Sequence, residues 1–368
     1  MYYSIVHLVD DATVGGVNRL LDFISDSPEL ARSGVHKVVK VRRGQLSAPK
    51  FNADIVVSHL SVSWVSLPLF AALRATYAKT PLVHIEHSYS ERFVALHVKN
   101  TDRFETLMRT VMAMFDHVIA VSATQGRWLK RKGYCPSGRV TVIESCVDLT
   151  PFFATLPRAT ATPRVIGVVG RAELQKGLDV LIDAFKDDRL NHLELHVYGD
   201  GSQLGALKTQ AAGRANIVFK GFTNTPAAAM AACDVIAMPS RWEPYGLVAL
   251  EAMAASRPVV CSRVDGTDTH IAGGAIEVAK NTPDAWVEVL SDLPNMNLDL
   301  AKTRGRIHAQ AARKRFIDAW NMLIHNAVAD RGDDRLAACR KGRRTGARRL
   351  QTPWVRGRRV PDFRIQKG

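Results

Sequence analysis

The sequence predicts an α/β protein made of two Rossmann-like, doubly wound domains that face each other across a cleft. Three observations carry that reading. Short β-rich apolar runs alternate with helical patterns twice over. A Pro-, Thr- and Ala-containing stretch over 145–163 separates the two series. The 368 residues are enough for two such domains, each with its own core.

The first series reads as strands over 3–9, 37–41, 55–59, 82–86, 118–121 and 140–143. The second reads as strands over 165–169, 193–198, 217–220, 235–238, 259–261 and 276–278. An N-terminal Rossmann-like domain is therefore expected over 1–150, with a C-terminal domain over 164–312. The linker over 151–163 carries Pro151, Pro157 and Pro163, a hinge composition. A helical run over 313–330, with Phe316, Trp320, Leu323 and Ile324 at helical spacing, is expected to pack back toward the first domain. That stripe reads as core rather than as a cofactor site. From residue 331 the periodicity disappears, and 331–368 is expected to be a basic, disordered tail; an altered reading frame is one hypothesis for so abrupt a change.

Charge follows the same divisions. The net charge is +15, and residues 331–368 hold 13 Lys/Arg against 3 Asp/Glu. Residues 158–330 balance at 19 against 19. An acidic polymer or an anionic membrane surface suits such a tail, and a solvated extension suits it better. Nucleic acid is not expected as a partner, because no helix-turn-helix, zinc or RNA-binding sheet signature is present. No apolar run approaches the ~18–20 residues that span a bilayer; the longest, 64–73, contains Ser66 and Pro68. The start, Met-Tyr-Tyr-Ser-Ile-Val-His, lacks the features of a signal peptide. Cys135, Cys146, Cys233, Cys261 and Cys339 form no Cys-x-x-Cys, which favours a reducing, cytosolic compartment over a disulfide framework or zinc cage.

Ligands of doubly wound folds sit outside the C-terminal ends of the strands. The run Arg241-Trp-Glu243-Pro-Tyr245-Gly246-Leu-Val-Ala-Leu-Glu251 follows such a strand and opens a helix near Leu247. Glu243 then lies in the loop and Glu251 about a turn into the helix. The amides of Gly246, Leu247 and Val248 form an uncapped helix start, which favours phosphate. Two carboxylates with a phosphate-seeking helix start between them suit a nucleotide sugar. After the first strand, Gly15-Gly16 lets backbone amides approach an oxyanion, or forms an ordinary turn. It is not Gly-x-Gly-x-x-Gly, which weakens a dehydrogenase reading. After the seventh strand comes Gly170-Arg171-Ala-Glu173-Leu-Gln-Lys176-Gly177-Leu-Asp179. Arg171 suits a phosphate fork and Lys176 a second positive charge, in bonds worth roughly 1.5–3 kcal/mol each. Surface ion pairs with Glu173 or Asp179 are the alternative. His87 ends the strand 82–86, placed to reach a sugar bound from the second domain or to be satisfied by backbone.

Together, these four elements, in this order between residue 5 and about 326, resemble glycosyltransferase family 4, the group 1 transferases, which have the GT-B fold. Glu-Pro-Tyr-Gly-Leu-Val-Ala-Leu-Glu-Ala-Met-Ala is close to the family's usual wording. The resemblance implies that Glu251 binds the ribose hydroxyls and that Glu243 contacts the transferred sugar. It implies that Arg171 and Lys176 clamp the diphosphate with the amides of Gly15-Gly16, Tyr245, Gly246, Leu247 and Val248. His87 would position the sugar and its leaving group, so Glu243 and His87 are the expected catalytic pair. The implied reaction moves a sugar from a nucleoside diphosphate to a hydroxyl with retention. Cationic side chains and helix dipoles would stabilise the leaving group as a metal does elsewhere. With no Asp-x-Asp in the chain, metal-independent catalysis and no cofactor are expected.

One departure is Ser145-Cys146-Val147-Asp148 where the family usually reads Asn-Gly-Val-Asp; altered backbone near the cleft, without inactivation, is expected. The implied acceptor is a glycan or lipid-linked hydroxyl in polysaccharide or glycoconjugate biosynthesis. Gln125-Gly-Arg127-Trp128-Leu-Lys130-Arg131-Lys132, basic with an embedded Trp, suits an anionic membrane surface or is a solvated basic face. The first reading places the protein peripherally on the inner face of the cytoplasmic membrane. Competing readings are a sugar-nucleotide epimerase or phosphorylase of the same fold, a nucleic-acid binder using the tail, and a non-catalytic scaffold. No cofactor lysine marks a phosphorylase, and the retained Glu243, Glu251, Arg171 and Lys176 speak against a scaffold.

Overall fold

The computed structural model describes the backbone of residues 2–11, 15–158 and 162–346, with side chains as far as 329. Strands β1 (Tyr3–Val9), β2 (Gly34–Lys40), β3 (Ile55–Ser58), β4 (Leu82–Glu86), β5 (His117–Ala120) and β6 (Val140–Val142) form one parallel sheet in the order β2-β1-β3-β4-β5-β6. Strands β7 (Val165–Val169), β8 (Glu194–Tyr198), β9 (Ile217–Gly221), β10 (Val235–Met238), β11 (Val259–Ser262) and β12 (Ile276–Val278) form the second, in the order β12-β11-β10-β7-β8-β9. Every residue of β3, β4, β10 and β11 is buried, as expected for parallel strands covered on both faces. Each sheet reverses its winding once, between β1 and β3 in the first and between β7 and β10 in the second. Those are the switch points where such folds bind ligands.

The helix Leu298–Gly346 ties the domains together. Its Phe316, Trp320, Leu323 and Ile324 share one core cluster with Ile5, Leu20, Phe23 and Ile24 of the first domain and with Leu250 and Met253 of the second. Arg313 pairs with Glu29 at 2.8 Å, and Ser33 Oγ donates to Asn321 Oδ1 at 2.6 Å. The helix starts at Leu298, before the expected 313, and its backbone stays helical through Gly346. Residues 331–346, read from sequence as disordered tail, are therefore helical. Leu, Ala, Arg and Lys carry helix propensity without supplying an apolar stripe, so periodicity missed it. The rest of the expected tail, 347–368, lies outside the described residues. The linker opens with the helix Thr150–Phe153, whose Phe152 is buried.

The two domains also touch along a rim of the cleft. Ser90 Oγ donates to Asp265 at 2.7 Å, and the Arg92 amide donates to the same carboxylate at 3.1 Å. Thr269 Oγ1 donates to Glu144 at 2.7 Å, and the Trp242 and His97 rings meet edge-on at 4.4 Å.

Candidate functional site

Beyond β10 the chain is fixed by Asn281 Nδ2, which donates to the Pro239 carbonyl at 2.7 Å, and by Ser262 Oγ, which donates to the Ser240 carbonyl at 2.6 Å. This holds the loop in which Glu243 sits almost wholly buried. Its carboxylate accepts from Lys176 Nζ at 2.7 Å and from Ser240 Oγ at 3.2 Å. Gly246 then takes a left-handed backbone, φ 97°, as N-cap of the helix Leu247–Ala254, and no side chain caps that helix. Its first amides are left directed out of the helix start.

Glu251 lies one turn inside the same helix and is 1% exposed. Its partner comes from the other domain: Arg19, on the helix Gly16–Asp26, donates to Glu251 Oε1. Burial raises the Glu251 carboxyl above its ordinary range, with Arg19 and Lys176 pulling the other way. The helix Gly16–Asp26 begins on Gly15, again with no side-chain cap. A Cβ on Gly16 would lie 3.1 Å from Leu247 Cδ1, so two uncapped helix starts stand side by side. Their dipoles present positive ends to the same space, an arrangement that an anion between them relieves. Residues 12–14 of the glycine loop lie outside the described residues.

Lys176 and Arg171 follow β7. Gly177 adopts φ 61°, and a Cβ there would lie 2.0 Å from the Pro239 carbonyl oxygen. Only glycine lets the β7 loop press against the β10 loop, which brings Lys176 to Glu243. Neither of the alternative ion pairs, to Glu173 or to Asp179, forms with Arg171 or Lys176 among the described residues. Glu173 accepts from the Ser202 amide and hydroxyl at 2.9 and 2.6 Å, and Asp179 pairs with Arg241 at 2.5 Å. Arg171 is exposed; its carbonyl accepts from the Glu173 amide at 2.9 Å, and its charge helps to lower the Glu173 carboxyl, while no side-chain hydrogen bond or ion pair holds its guanidinium among the described residues.

His87 is half-buried after β4. It is satisfied not by backbone but by another imidazole, His59 Nδ1, at 2.9 Å from its Nε2. Burial pushes His87 down to about 4, with the Glu86 carboxylate opposing and His84 reinforcing. The Tyr245 ring is buried against His270, 4.8 Å between centroids, which leaves its backbone as the group nearest the helix start.

Trp128 is 1% exposed and Leu129 is buried, so the aromatic of the basic stretch anchors its helix in the core. Lys132 and Arg131 on the other face pair with Glu105 and Glu91 at 2.9 and 2.6 Å. The Trp therefore has no part in either reading of that stretch, which leaves its exposed, ion-paired basic face to meet water or an anionic surface. At the altered turn, Cys146 is buried, and the non-glycine residues with positive φ among those described are Ser256 and Asp265. Cys146 thus keeps ordinary backbone and fills core. Among the described residues, no helix is long and apolar enough to cross a membrane.

Arg19, Ser240, Asp265 and His59 belong to the site without having been singled out from sequence. Arg19 carried one signal, its place one turn into the helix that the glycine pair opens.

Residues 13–151 match the family described as Glycosyltransferase Family 4, and residues 163–295 match Glycosyl transferases group 1. The chain belongs to the group 1, family 4 glycosyltransferases. Among family relatives, an uncharacterized glycosyltransferase of Methanocaldococcus jannaschii is 32% identical over 40% of this chain and 42% of its own length. A second from that organism is 37% identical over 34% of this chain and 32% of its own length, so the chain spans less than half of either. A D-inositol 3-phosphate glycosyltransferase of Mycolicibacterium gilvum is 28% identical over 80% of this chain and 72% of that protein. In structure, sucrose-phosphate synthase from Thermosynechococcus elongatus superposes with a TM-score of 0.71 at 19% identity, covering 89% of this chain and 100% of that chain. Anabaena HepE in complex with UDP-glucose gives 0.65 at 18% identity, over 89% and 100%. The fold is GT-B, with its two sheets facing across the cleft that holds Glu243 and Glu251.

Proposed function

We propose that the protein transfers a sugar from a nucleoside diphosphate sugar to a hydroxyl, with the anomeric configuration retained and no metal required. The observation that carries this reading is the pair of uncapped helix starts beside the buried Glu251, with Lys176 and the exposed Arg171 at the same cleft. The diphosphate lies against the amides of Gly16, Leu247 and Val248 and takes Arg171 and Lys176 as its counter-charges. Glu251 accepts the ribose hydroxyls, and Arg19 favours its ionised form against the burial that opposes it. Glu243 faces the transferred sugar, whose ring gains positive charge as the bond to the diphosphate breaks. The leaving oxygen gains negative charge in front of fixed donors that need no reorganisation, the setting in which electrostatic stabilisation is largest. His87 positions the sugar from the first domain.

Two neighbours in structure support the donor class: Anabaena HepE is in complex with UDP-glucose, and the starch synthase IV catalytic domain of Arabidopsis is bound to ADP. The acceptor in this reading is a glycan or lipid-linked hydroxyl of a polysaccharide or glycoconjugate pathway, met on the first domain at the cytoplasmic side. Proton NMR of the product at early turnover, run with and without EDTA, tests the mechanism. Retention at an undiminished rate in EDTA is expected. An inverted anomer, or activity lost in EDTA and restored by Mg²⁺, would overturn it.

A further inference from the structure

Four histidines, one from each of four neighbouring strands, form an unbroken line of hydrogen bonds across the first sheet. In sheet order they are His36 on β2, His7 on β1, His59 just past β3 and His87 just past β4. His36 Nδ1 lies 3.0 Å from His7 Nε2, and His7 Nδ1 lies 3.0 Å from His59 Nε2. His59 Nδ1 completes the line at 2.9 Å from His87 Nε2. Every link joins a δ nitrogen to an ε nitrogen, so the line keeps one sense from end to end. The middle rings are sealed, His7 at 0% and His59 at 5% exposure, under Trp320 of the long helix, 5.9 Å from His7.

A neutral imidazole has one N–H and one lone pair, so in such a line each ring dictates the tautomer of the next. The far end shows which way the line runs. His36 Nε2, the nitrogen not taken by His7, is buried with no hydrogen-bond partner among the described residues. The Leu30 carbonyl acts on the ring as an acceptor, and with Nδ1 already facing His7 this favours hydrogen on Nε2. Every Nε2 in the line then carries hydrogen and every Nδ1 a lone pair. At the cleft end, His87 Nδ1 makes no hydrogen bond among the described residues and is not among their sealed polar atoms.

We propose that His36, His7 and His59 are positioning residues that act through His87, fixing its tautomer so that Nδ1 offers a lone pair to the cleft. This rests on the reading of His87 as a residue of the donor site. Charge on the middle rings is disfavoured by burial first and by neighbouring imidazoles next. Glu86 and His84 of β4 are the other titratable groups facing the cleft end.

Site-resolved ¹⁵N NMR of the imidazole rings in the full chain, without added ligand, tests the proposal. His87 is expected to show well-separated ring nitrogens with hydrogen on Nε2 through the neutral range. His36→Gln supplies an acceptor for His7 and should keep that pattern, whereas His36→Leu should move the two His87 nitrogens toward a tautomer-averaged mean. A parent spectrum with hydrogen on His87 Nδ1, or already averaged, overturns the proposal even if the variants misfold. Unchanged His87 signals in a folded His36→Leu also overturn it. Full transferase activity in His87→Ala would instead overturn the catalytic reading of His87 and leave the NMR result standing.

Discussion

At Glu251, burial and a single guanidinium pull in opposite directions. The carboxylate is 1% exposed, while Arg19 keeps about a third of its side chain in solvent, 34%. Such a pair is asymmetric: losing the buried carboxylate frees a cation that water accepts, but losing the cation strands a charge in the core. Arg19→Leu is therefore expected to lower the unfolding free energy by about 1–3 kcal/mol. Adding Glu251→Gln to it should restore part of that loss, as read by urea denaturation of the single and double variants. A single variant as stable as the parent would show that the pair is not coupled. Sequence reading found Glu251 because the Glu243 to Glu251 spacing is local to one loop and one helix. It passed over Arg19 because the partner lies 232 positions along the chain. Only the meeting of two domains pairs them. Lys176 shows the same limit: its charge was legible, but its choice of Glu243 over Glu173 and Asp179 depends on the close approach at Gly177.

At the scale of elements, the strands were the most legible part, because covered parallel strands are short and mainly apolar, and they recur between helical patterns. The histidine line was not legible, since its members fall on four strands and only the register of the sheet brings them together. Trp128 misled for a related reason: a lone aromatic among basic residues reads as a surface anchor until the facing core is known. The buried imidazoles carry a further consequence. His36 and His87 are pushed down to about 4 and His270 to about 3, in each case chiefly by burial, and His7, His59 and His308 are lowered too. Below about pH 6.5 the unfolded chain binds protons that the folded chain refuses. Stability is thus fully present above the unfolded value and is lost as pH falls toward about 4. Each such imidazole adds up to about 1.4 kcal/mol per pH unit to the slope. Urea unfolding between pH 7.5 and 4.5 should show this steep fall, and His7→Gln should flatten it. A profile level through that window would mean that these rings are not sealed in solution.

At the scale of the whole molecule, two domains and a hinge composition were readable from alternation and from the prolines. How the domains meet was not, because every joining contact is long-range: Ser90 to Asp265, Glu144 to Thr269, and the long helix with Phe316 and Trp320 in a core shared by both. That joining closes the cleft on the two helix starts and makes one candidate site from two half-sites. In the proposed function this site takes a nucleoside diphosphate sugar. A ligand that binds only the folded state raises its stability by about 2.7 kcal/mol at a hundred times its dissociation constant. The most direct measurement is therefore a thermal-shift panel of UDP-, GDP- and ADP-sugars on the parent and on Glu251→Ala. At least one of these donors is predicted to raise the melting temperature of the parent and to leave that of Glu251→Ala where it was. A parent that responds to none of them, or a variant that responds equally, would contradict the account.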